Sequence, residues 1–128
     1  MRFLALDEVL ALHAEQIRRF GGAPGLRGRG LLESALAMPR ATFAGEPLHA
    51  TVFEAAAAYL FHLARNHPFV DGNKRVALAA ALVFLWLNGF RVECDDDALG
   101  DLVIGVASGR IPKAEAAVFL KAHAKKQR

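Results

Sequence analysis

The stretch His67-Pro68-Phe69-Val70-Asp71-Gly72-Asn73-Lys74-Arg75 carries the strongest signal in this chain. It lies between two apolar segments, residues 54–65 and 76–87. Pro68 lacks an N–H and disfavours the α conformation in the residue before it, so a first helix is predicted to end near His67. A second helix is predicted to begin at Gly72 and Asn73, where its unpaired N–H groups form a site for anions. A base, a carboxylate and a phosphate cradle in one loop indicate transfer chemistry on a nucleotide.

Helical patterns dominate the rest of the chain. Residues 6–20 carry apolar side chains at helical spacing and stop at Gly21-Gly22, and Thr51-x-x-Glu54 is a capping box. Residues 90–93 are predicted to be short and extended, with no convincing strand pair. The prediction is one all-α domain, residues 1–128. Its helices are expected over residues 6–20, 31–38, 51–66, from the motif loop (residues 67–75) to 88, from about 95 to 108, and 112–123.

The composition argues against a membrane protein, a secreted protein and a nucleic-acid-binding protein. The longest apolar run, from Val76 to Leu87, has 12 residues and is too short to cross a bilayer. Asp7 and Glu8 stand where a signal peptide needs apolar residues, and the single cysteine fits a reducing compartment, so a cytoplasmic protein without membrane contact is expected. The basic cluster Lys121, Lys125, Lys126 and Arg128 has no interleaved aromatic residues, so we interpret it as a helix end and expect no direct nucleic-acid partner.

The motif resembles the HxFx(D/E)(G/A)NKR motif of the Fic/Doc superfamily, in the version typical of Doc (death-on-curing) toxins. The resemblance implies a compact six-helix Fic/Doc-type bundle with the apolar helix after the motif loop at its centre. It extends over nearly the whole chain, through Ala11-Leu12-His13, Gly21-Gly22-x-Pro24-Gly25, Ala77-Leu78, Leu82, Phe84, Leu85 and Asn88-Gly89.

The acid–base and metal roles fall on two residues of the motif. A neutral imidazole beside an anion site can accept a proton from a hydroxyl, and the resemblance makes His67 the base that activates the target nucleophile. Asp71 can cap the following helix, bind Mg²⁺ beside phosphates, or do both; the family uses this position for the metal, which is the role we prefer. Phe69 is expected only to anchor the loop to the core.

Phosphate binding is assigned to the residues that follow. Gly72 and Asn73 allow close approach of the backbone, and family members use loop N–H groups here as a phosphate cradle. Lys74 adds a point charge, and Arg75 offers a planar fork suited to phosphate oxygens. Arg65, two residues before His67, is a further candidate for the same pocket.

Two positions bear on which part of ATP is transferred. Family members that transfer AMP carry glycine where this chain has Lys74 and a second arginine where it has Leu78. Similarity to Doc toxins implies that ATP binds with Mg²⁺ and presents its γ-phosphate, so a protein kinase is favoured over an AMP transferase. In Doc toxins the target is a threonine of elongation factor Tu, whose modification arrests translation. Ala79 departs from the Doc pattern, which has asparagine there.

Regulation is expected to come from another protein. Fic enzymes are commonly restrained by a helix carrying (S/T)-x-x-x-E-(G/N), and the nearest match, residues 42–47, fails at Pro47. The resemblance therefore implies a toxin of a type II toxin–antitoxin pair, inhibited by the C-terminal segment of a cognate antitoxin that lies along the N-terminal helices and residues 40–50. A non-catalytic regulator or nucleic-acid-binding module remains the alternative outside the enzyme class.

Overall fold

Six α-helices form most of the computed structural model, which describes residues 1–127. They are α1 (Leu6–Phe20), α2 (Arg29–Ala37), α3 (Val52–Asn66), α4 (Asn73–Leu87), α5 (Asp96–Ala107) and α6 (Lys113–His123), with a 3₁₀ turn at Met38–Arg40 after α2. The predicted all-α bundle is confirmed. Within residues 1–127 no helix has the length and apolar character needed to cross a membrane.

Helices α3 and α4 pack against each other at the centre of the bundle. Small side chains bring them close together, since α3 buries a run of alanines and α4 buries alanines one turn apart. Helices α1, α2, α5 and α6 surround this pair. The hydroxyl of Tyr59 on α3 accepts a hydrogen bond from the N–H of Leu4 (2.8 Å), which fastens the chain before α1 to the core. The motif loop joins the two central helices, so both of its ends are fixed by the core.

The start of α3 follows its sequence signal with one change. The Thr51 hydroxyl accepts a hydrogen bond from the N–H of Glu54 (3.1 Å), as a capping box predicts. The Glu54 carboxylate accepts from the N–H of Ala50 (3.0 Å) instead of that of Thr51. The reciprocal bond is thus displaced by one residue, and it ties Ala50 to the helix start.

The expectation that the chain has no convincing strand pair is wrong. Strands β1 (Thr42–Phe43) and β2 (Glu46–Pro47) form a hairpin, and β3 (Phe90–Val92) pairs antiparallel with β4 (Ala124–Lys126). In the hairpin, Ala44 (φ 52°) and Gly45 (φ 82°) both have positive φ, as a two-residue turn between twisted strands requires. The second pair was missed because its strands have three residues each and lie far apart in sequence.

The interpretation of the C-terminal basic cluster as a helix end is wrong for two of its lysines. Lys121 lies in the last turn of α6, but Lys125 and Lys126 lie on β4, opposite Arg91 and Phe90. Arg128, the fourth cation of the cluster, lies outside the described residues. These cations therefore extend along a strand and do not mark a single helix terminus.

Residues 21–28, between α1 and α2, run antiparallel to the motif loop. Leu26 and Phe69 form an isolated β-bridge, and the N–H of Val70 donates to the carbonyl of Gly25 (3.0 Å). The N–H of Arg27 donates to the carbonyl of Pro68 (2.8 Å). Two loops far apart in sequence thus form one hydrogen-bonded unit at the surface, and the motif is built into it.

Candidate active site

His67 ends α3 in a left-handed backbone conformation. Its φ and ψ are 49° and 55°, and Pro68 follows it, so the helix stops where the sequence predicts. A left-handed conformation is strained for a residue with a Cβ atom. The Arg27 guanidinium holds it in place, since Nε donates to the carbonyl of His67 (2.7 Å) and Nη2 to that of Asn66 (3.0 Å). The backbone of His67 is therefore fixed while its exposed imidazole lines a cavity.

Asn73 closes the motif loop on itself. Its side-chain oxygen accepts from the N–H of Phe69 (2.9 Å), and its side-chain nitrogen donates to the carbonyl of the same residue (3.0 Å). Phe69 is 2% exposed, which agrees with the expectation that it anchors the loop. Both polar atoms of the Asn73 side chain are thus engaged within the protein, and its backbone N–H at the start of α4 remains for an anion.

The carboxylate of Asp71 is held by two backbone N–H groups. Oδ2 accepts from Ala23 (3.2 Å) and Oδ1 from Gly72 (2.8 Å), and the bonds from Ala23 and then Gly72 lower the pKa of this carboxyl group. Asp71 does not cap α4, because Gly72 (φ 76°) occupies the N-cap position. The alternative interpretation of Asp71 as an N-cap is therefore wrong. The Asp71 carboxylate is instead exposed and ionised, and it faces the cavity.

Two contacts from the N-terminal part of the chain were missed by sequence reasoning. His13 is 4% exposed; its Nε2 donates to the carbonyl of Asp71 (2.7 Å), and its ring stacks on Phe69 with 3.7 Å between centroids. Gly22 approaches so closely that a Cβ atom there would lie 2.7 Å from Asp71 Oδ2. For His13 the available signal was a histidine on the apolar face of α1, which needs a buried hydrogen-bond partner.

The start of α4 presents donors to the cavity. The first intrahelical bond runs from Val76 N–H to the Gly72 carbonyl (3.0 Å), so the N–H groups of Asn73, Lys74 and Arg75 have no acceptor in the helix. The Arg75 guanidinium donates to the carbonyl of Gly21 (3.3 Å) and lies 5.2 Å from the centre of the Phe20 ring. The cavity has a volume of about 520 Å³ and is lined by Phe20, Gly21, Gly22, His67, Val70, Asp71, Gly72, Asn73, Lys74 and Arg75.

Arg65 is the one candidate that the structure does not bring to this cavity. Its guanidinium lies 5.3 Å from the centre of the Phe61 ring. Nη1 lies 3.1 Å from the position that a Cβ atom of Gly109 would occupy. The side chain is thus directed toward the turn between α5 and α6, because position 65 faces a different side of α3 from the helix end.

The site suits a hydrated divalent cation better than a cation enclosed by protein. Within residues 1–127 no group of three or more histidine, cysteine, aspartate or glutamate side chains could hold a metal. Asp71 would supply one oxygen ligand, and water and phosphate oxygens would complete the shell. Mg²⁺ prefers this arrangement at nucleotide sites, so the residues present fit it.

The chain belongs to the Fic/DOC family, whose model matches residues 3–85, and the predicted membership is confirmed. Among its relatives, "Protein kinase doc" of Escherichia phage P1 is 40% identical over 121 residues, which cover 94% of this chain and 94% of that protein. "Toxin Doc" of Mycolicibacterium smegmatis (strain ATCC 700084 / mc(2)155) is 49% identical over 78 residues, 61% of this chain and 60% of that protein. The matched region of the family model includes the motif loop and its cavity.

Proposed function

We propose that this chain is the toxin of a type II toxin–antitoxin pair and a protein kinase that transfers the γ-phosphate of ATP to a hydroxyl residue of a translation factor. By resemblance to Doc toxins, the target is elongation factor Tu. The observation that carries the proposal is the cavity of about 520 Å³, where His67, Asp71, Lys74 and Arg75 meet the N-terminus of α4. The names of the two relatives, a protein kinase and a toxin, support it.

Each group in the cavity has a distinct role in this reaction. His67 accepts the proton of the target hydroxyl, whose oxygen forms a bond to the γ-phosphorus while the bond to the bridging oxygen of ADP breaks. Lys74, Arg75 and the free N–H groups of α4 stabilise the negative charge on the phosphate oxygens. Mg²⁺ at Asp71 would neutralise further charge on the phosphates when bound.

Lys74 favours a kinase over an AMP transferase. Glycine at this position would leave room for a phosphate against the backbone, and lysine fills that room and adds a charge. Lys74 is exposed and lines the cavity, so it can contact a bound nucleotide directly. We infer that the nucleotide lies with its γ-phosphate toward the target.

An antitoxin is the proposed source of inhibition. The segment nearest to the family's inhibitory motif, residues 42–47, forms the β1–β2 hairpin and not a helix. This supports an inhibitor supplied in trans, in the cytoplasm where ATP and translation factors are present. The proposed occupant is the C-terminal segment of a small protein encoded next to this chain.

Labelled ATP separates the two kinds of transfer. The purified chain is incubated with elongation factor Tu, Mg²⁺ and ATP labelled at either the α- or the γ-phosphate, with His67→Ala as the variant and His123→Ala as its control. His123 lies on α6 and does not line the cavity. We expect label from the γ position only, present with His123→Ala and absent with His67→Ala.

Other results would contradict particular parts of the proposal. Label from the α position would identify an AMP transferase. Transfer by His67→Ala at the wild-type rate would remove the base assignment. Binding to nucleic acid, with no label from either position in any translation factor, would favour a non-catalytic module.

A further inference from the structure

Phe20, the last residue of α1, presents its aromatic ring in the wall of the cavity that His67 and Asp71 share. It is 55% exposed, so burial in the core does not explain its position. Single exposed aromatic residues are common on protein surfaces, and exposure alone therefore indicates nothing. What distinguishes this ring is its neighbour, the guanidinium of Arg75, which the proposed function assigns to phosphate binding.

Two contacts from the end of α1 hold the Arg75 guanidinium. Its Cζ atom lies 5.2 Å from the centre of the Phe20 ring, within the range of a cation–π interaction. Its Nη1 donates a hydrogen bond to the carbonyl of Gly21 (3.3 Å). None of the ion pairs within residues 1–127 involves Arg75. The guanidinium is therefore oriented by a ring and a carbonyl oxygen, neither of which neutralises its charge.

The segment that carries Phe20 is fixed relative to the motif loop. The N–H of Gly21 donates to the carbonyl of Ile17 (2.8 Å), which closes α1 at Phe20. Two residues further on, the N–H of Ala23 donates to Oδ2 of Asp71 (3.2 Å). The segment is thus attached to the helix on one side and to the loop on the other. The ring has a defined position from which it can restrict the arginine.

A second guanidinium lies near the same ring. The Cζ atom of Arg19 is 5.5 Å from the centre of the Phe20 ring. Arg19 does not line the cavity, whereas Arg75 does. Of these two cations, Arg75 is therefore the one that a ligand in the cavity meets, and any effect of the ring on such a ligand is expected to pass through Arg75.

We propose that Phe20 is a positioning residue that holds the Arg75 guanidinium in the orientation that binds phosphate. The inference rests on the phosphate-binding role of Arg75 in the proposed function. An arginine side chain has many rotamers, and restricting them before a ligand arrives reduces the entropy lost on binding. The ring itself touches no phosphate. Its effect should therefore appear with any polyphosphate ligand, with or without a nucleobase.

Calorimetric titration of the full chain with ATP and with inorganic tripolyphosphate, at constant ionic strength, tests the proposal. Phe20→Leu keeps an apolar side chain and removes the ring. We expect it to weaken the binding of both ligands by about two- to fivefold, which corresponds to an exposed cation–π interaction. Phe20→Tyr keeps the ring and should bind both as tightly as the wild type. In an Arg75→Gln background, Phe20→Leu should have no further effect.

Phe61→Leu is the matched control. The Arg65 guanidinium lies 5.3 Å from the centre of the Phe61 ring, a similar cation–π geometry, but neither residue lines the cavity. This variant should bind both ligands as tightly as the wild type. Equal weakening by Phe20→Leu and Phe61→Leu would mean that a general loss of stability explains the effect, and the proposal would be wrong.

Other results would also overturn the proposal. Weaker binding of ATP with unchanged binding of tripolyphosphate would show that the ring contacts the nucleobase. Unchanged binding of both ligands by Phe20→Leu, an equal loss with and without Arg75, or no rescue by Phe20→Tyr would remove the role of the ring in positioning Arg75.

Failure of the proposed function gives a different result. If tripolyphosphate binding changes as expected but the wild type transfers no γ-label, the kinase assignment fails and the role of Phe20 stands. If the wild type binds neither ATP nor tripolyphosphate, Arg75 does not bind phosphate, and both proposals fail.

Discussion

The Nε2 atom of His13 lies 2.7 Å from the carbonyl oxygen of Asp71, so a side chain of the first helix holds the loop that joins the two central helices. A carbonyl oxygen can only accept, and Nε2 therefore carries the proton. The same imidazole stacks on Phe69 with 8° between the ring planes. His13 thus fixes both the backbone and the buried anchor of the motif loop.

Replacing His13 with phenylalanine should separate these two contacts. His13→Phe keeps an aromatic ring against Phe69 and removes the hydrogen bond, so we expect the free energy of unfolding to fall by about 1 kcal/mol. Phosphate transfer should fall as well, because the Asp71 backbone loses its restraint. Urea unfolding and γ-label transfer measure the two effects.

His123→Phe is the matched control, because His123 also donates to a carbonyl, that of Phe119 (2.9 Å), and packs on the ring of that residue. It should lose similar stability and no transfer. Equal transfer rates for His13→Phe and the wild type would show that the loop does not need this contact.

Gly22 and Gly21 allow a controlled test of the carboxylate position. Both have positive φ, but a Cβ atom at Gly22 would meet Asp71 Oδ2 at 2.7 Å, and one at Gly21 would meet nothing within 4 Å. We expect Gly22→Ala to displace the carboxylate, to raise the Mg²⁺ concentration needed for half-maximal transfer and to slow transfer by about 10²-fold. Gly21→Ala should share the backbone strain without this effect. The Mg²⁺ dependence of γ-label transfer measures the difference, and identical curves for the two variants would contradict the proposal that Asp71 binds the metal.

Arg27 is expected to act through the backbone of His67. Arg27→Ala removes the hydrogen bonds of 2.7 Å and 3.0 Å to the carbonyls of His67 and Asn66. The backbone that carries the His67 imidazole should then no longer be held in one position. We expect kcat to fall by about tenfold or more with little change in the KM for ATP, because Arg27 does not line the cavity. Steady-state kinetics measure both constants.

Arg29→Ala is the control for Arg27, since Arg29 is exposed and its ion pair is with Glu33 on the surface. Its kcat should match that of the wild type. If Arg27→Ala raised the KM for ATP and left kcat unchanged, the arginine would contribute to nucleotide binding instead of positioning His67.

Local signals in the sequence predicted the motif loop, and contacts between distant residues decided the rest of the site. Pro68 and Gly72 place the end of α3 and the start of α4, because their effects on the backbone act over one or two residues. The bonds from His13 to Asp71 and from Arg27 to His67 span 58 and 40 residues, and no local pattern specifies such partners. The position of Arg65 could not be predicted for a related reason, since proximity in sequence to His67 does not determine which side of α3 it faces.

The His62 imidazole should make stability depend on pH. Burial, with Lys113 and His49, lowers its pKa from 6.5 to about 4 in the folded protein. Between these values the unfolded chain binds more protons than the folded one, so stability is lost as pH falls through this window and is retained above 6.5. His62 is half-buried and solvent screens part of the effect, so we expect the protein to be about 1 kcal/mol less stable at pH 5 than at pH 7.

Urea unfolding of the wild type and His62→Gln at both pH values measures this contribution. Glutamine does not titrate, so the difference between the two pH values should shrink in the variant. An unchanged difference would mean that other groups cause the pH dependence.

Under the proposed function, the two hydrogen bonds between Asn73 and Phe69 would affect the entropy of nucleotide binding. They fix the loop before any ligand arrives, so little backbone freedom remains to be lost when a nucleotide enters. The free energy gained from charge neutralisation is then retained as affinity. In the proposed kinase, the Asn73 side chain would thereby raise the affinity for the nucleotide without touching it, because it orders the loop before the nucleotide binds.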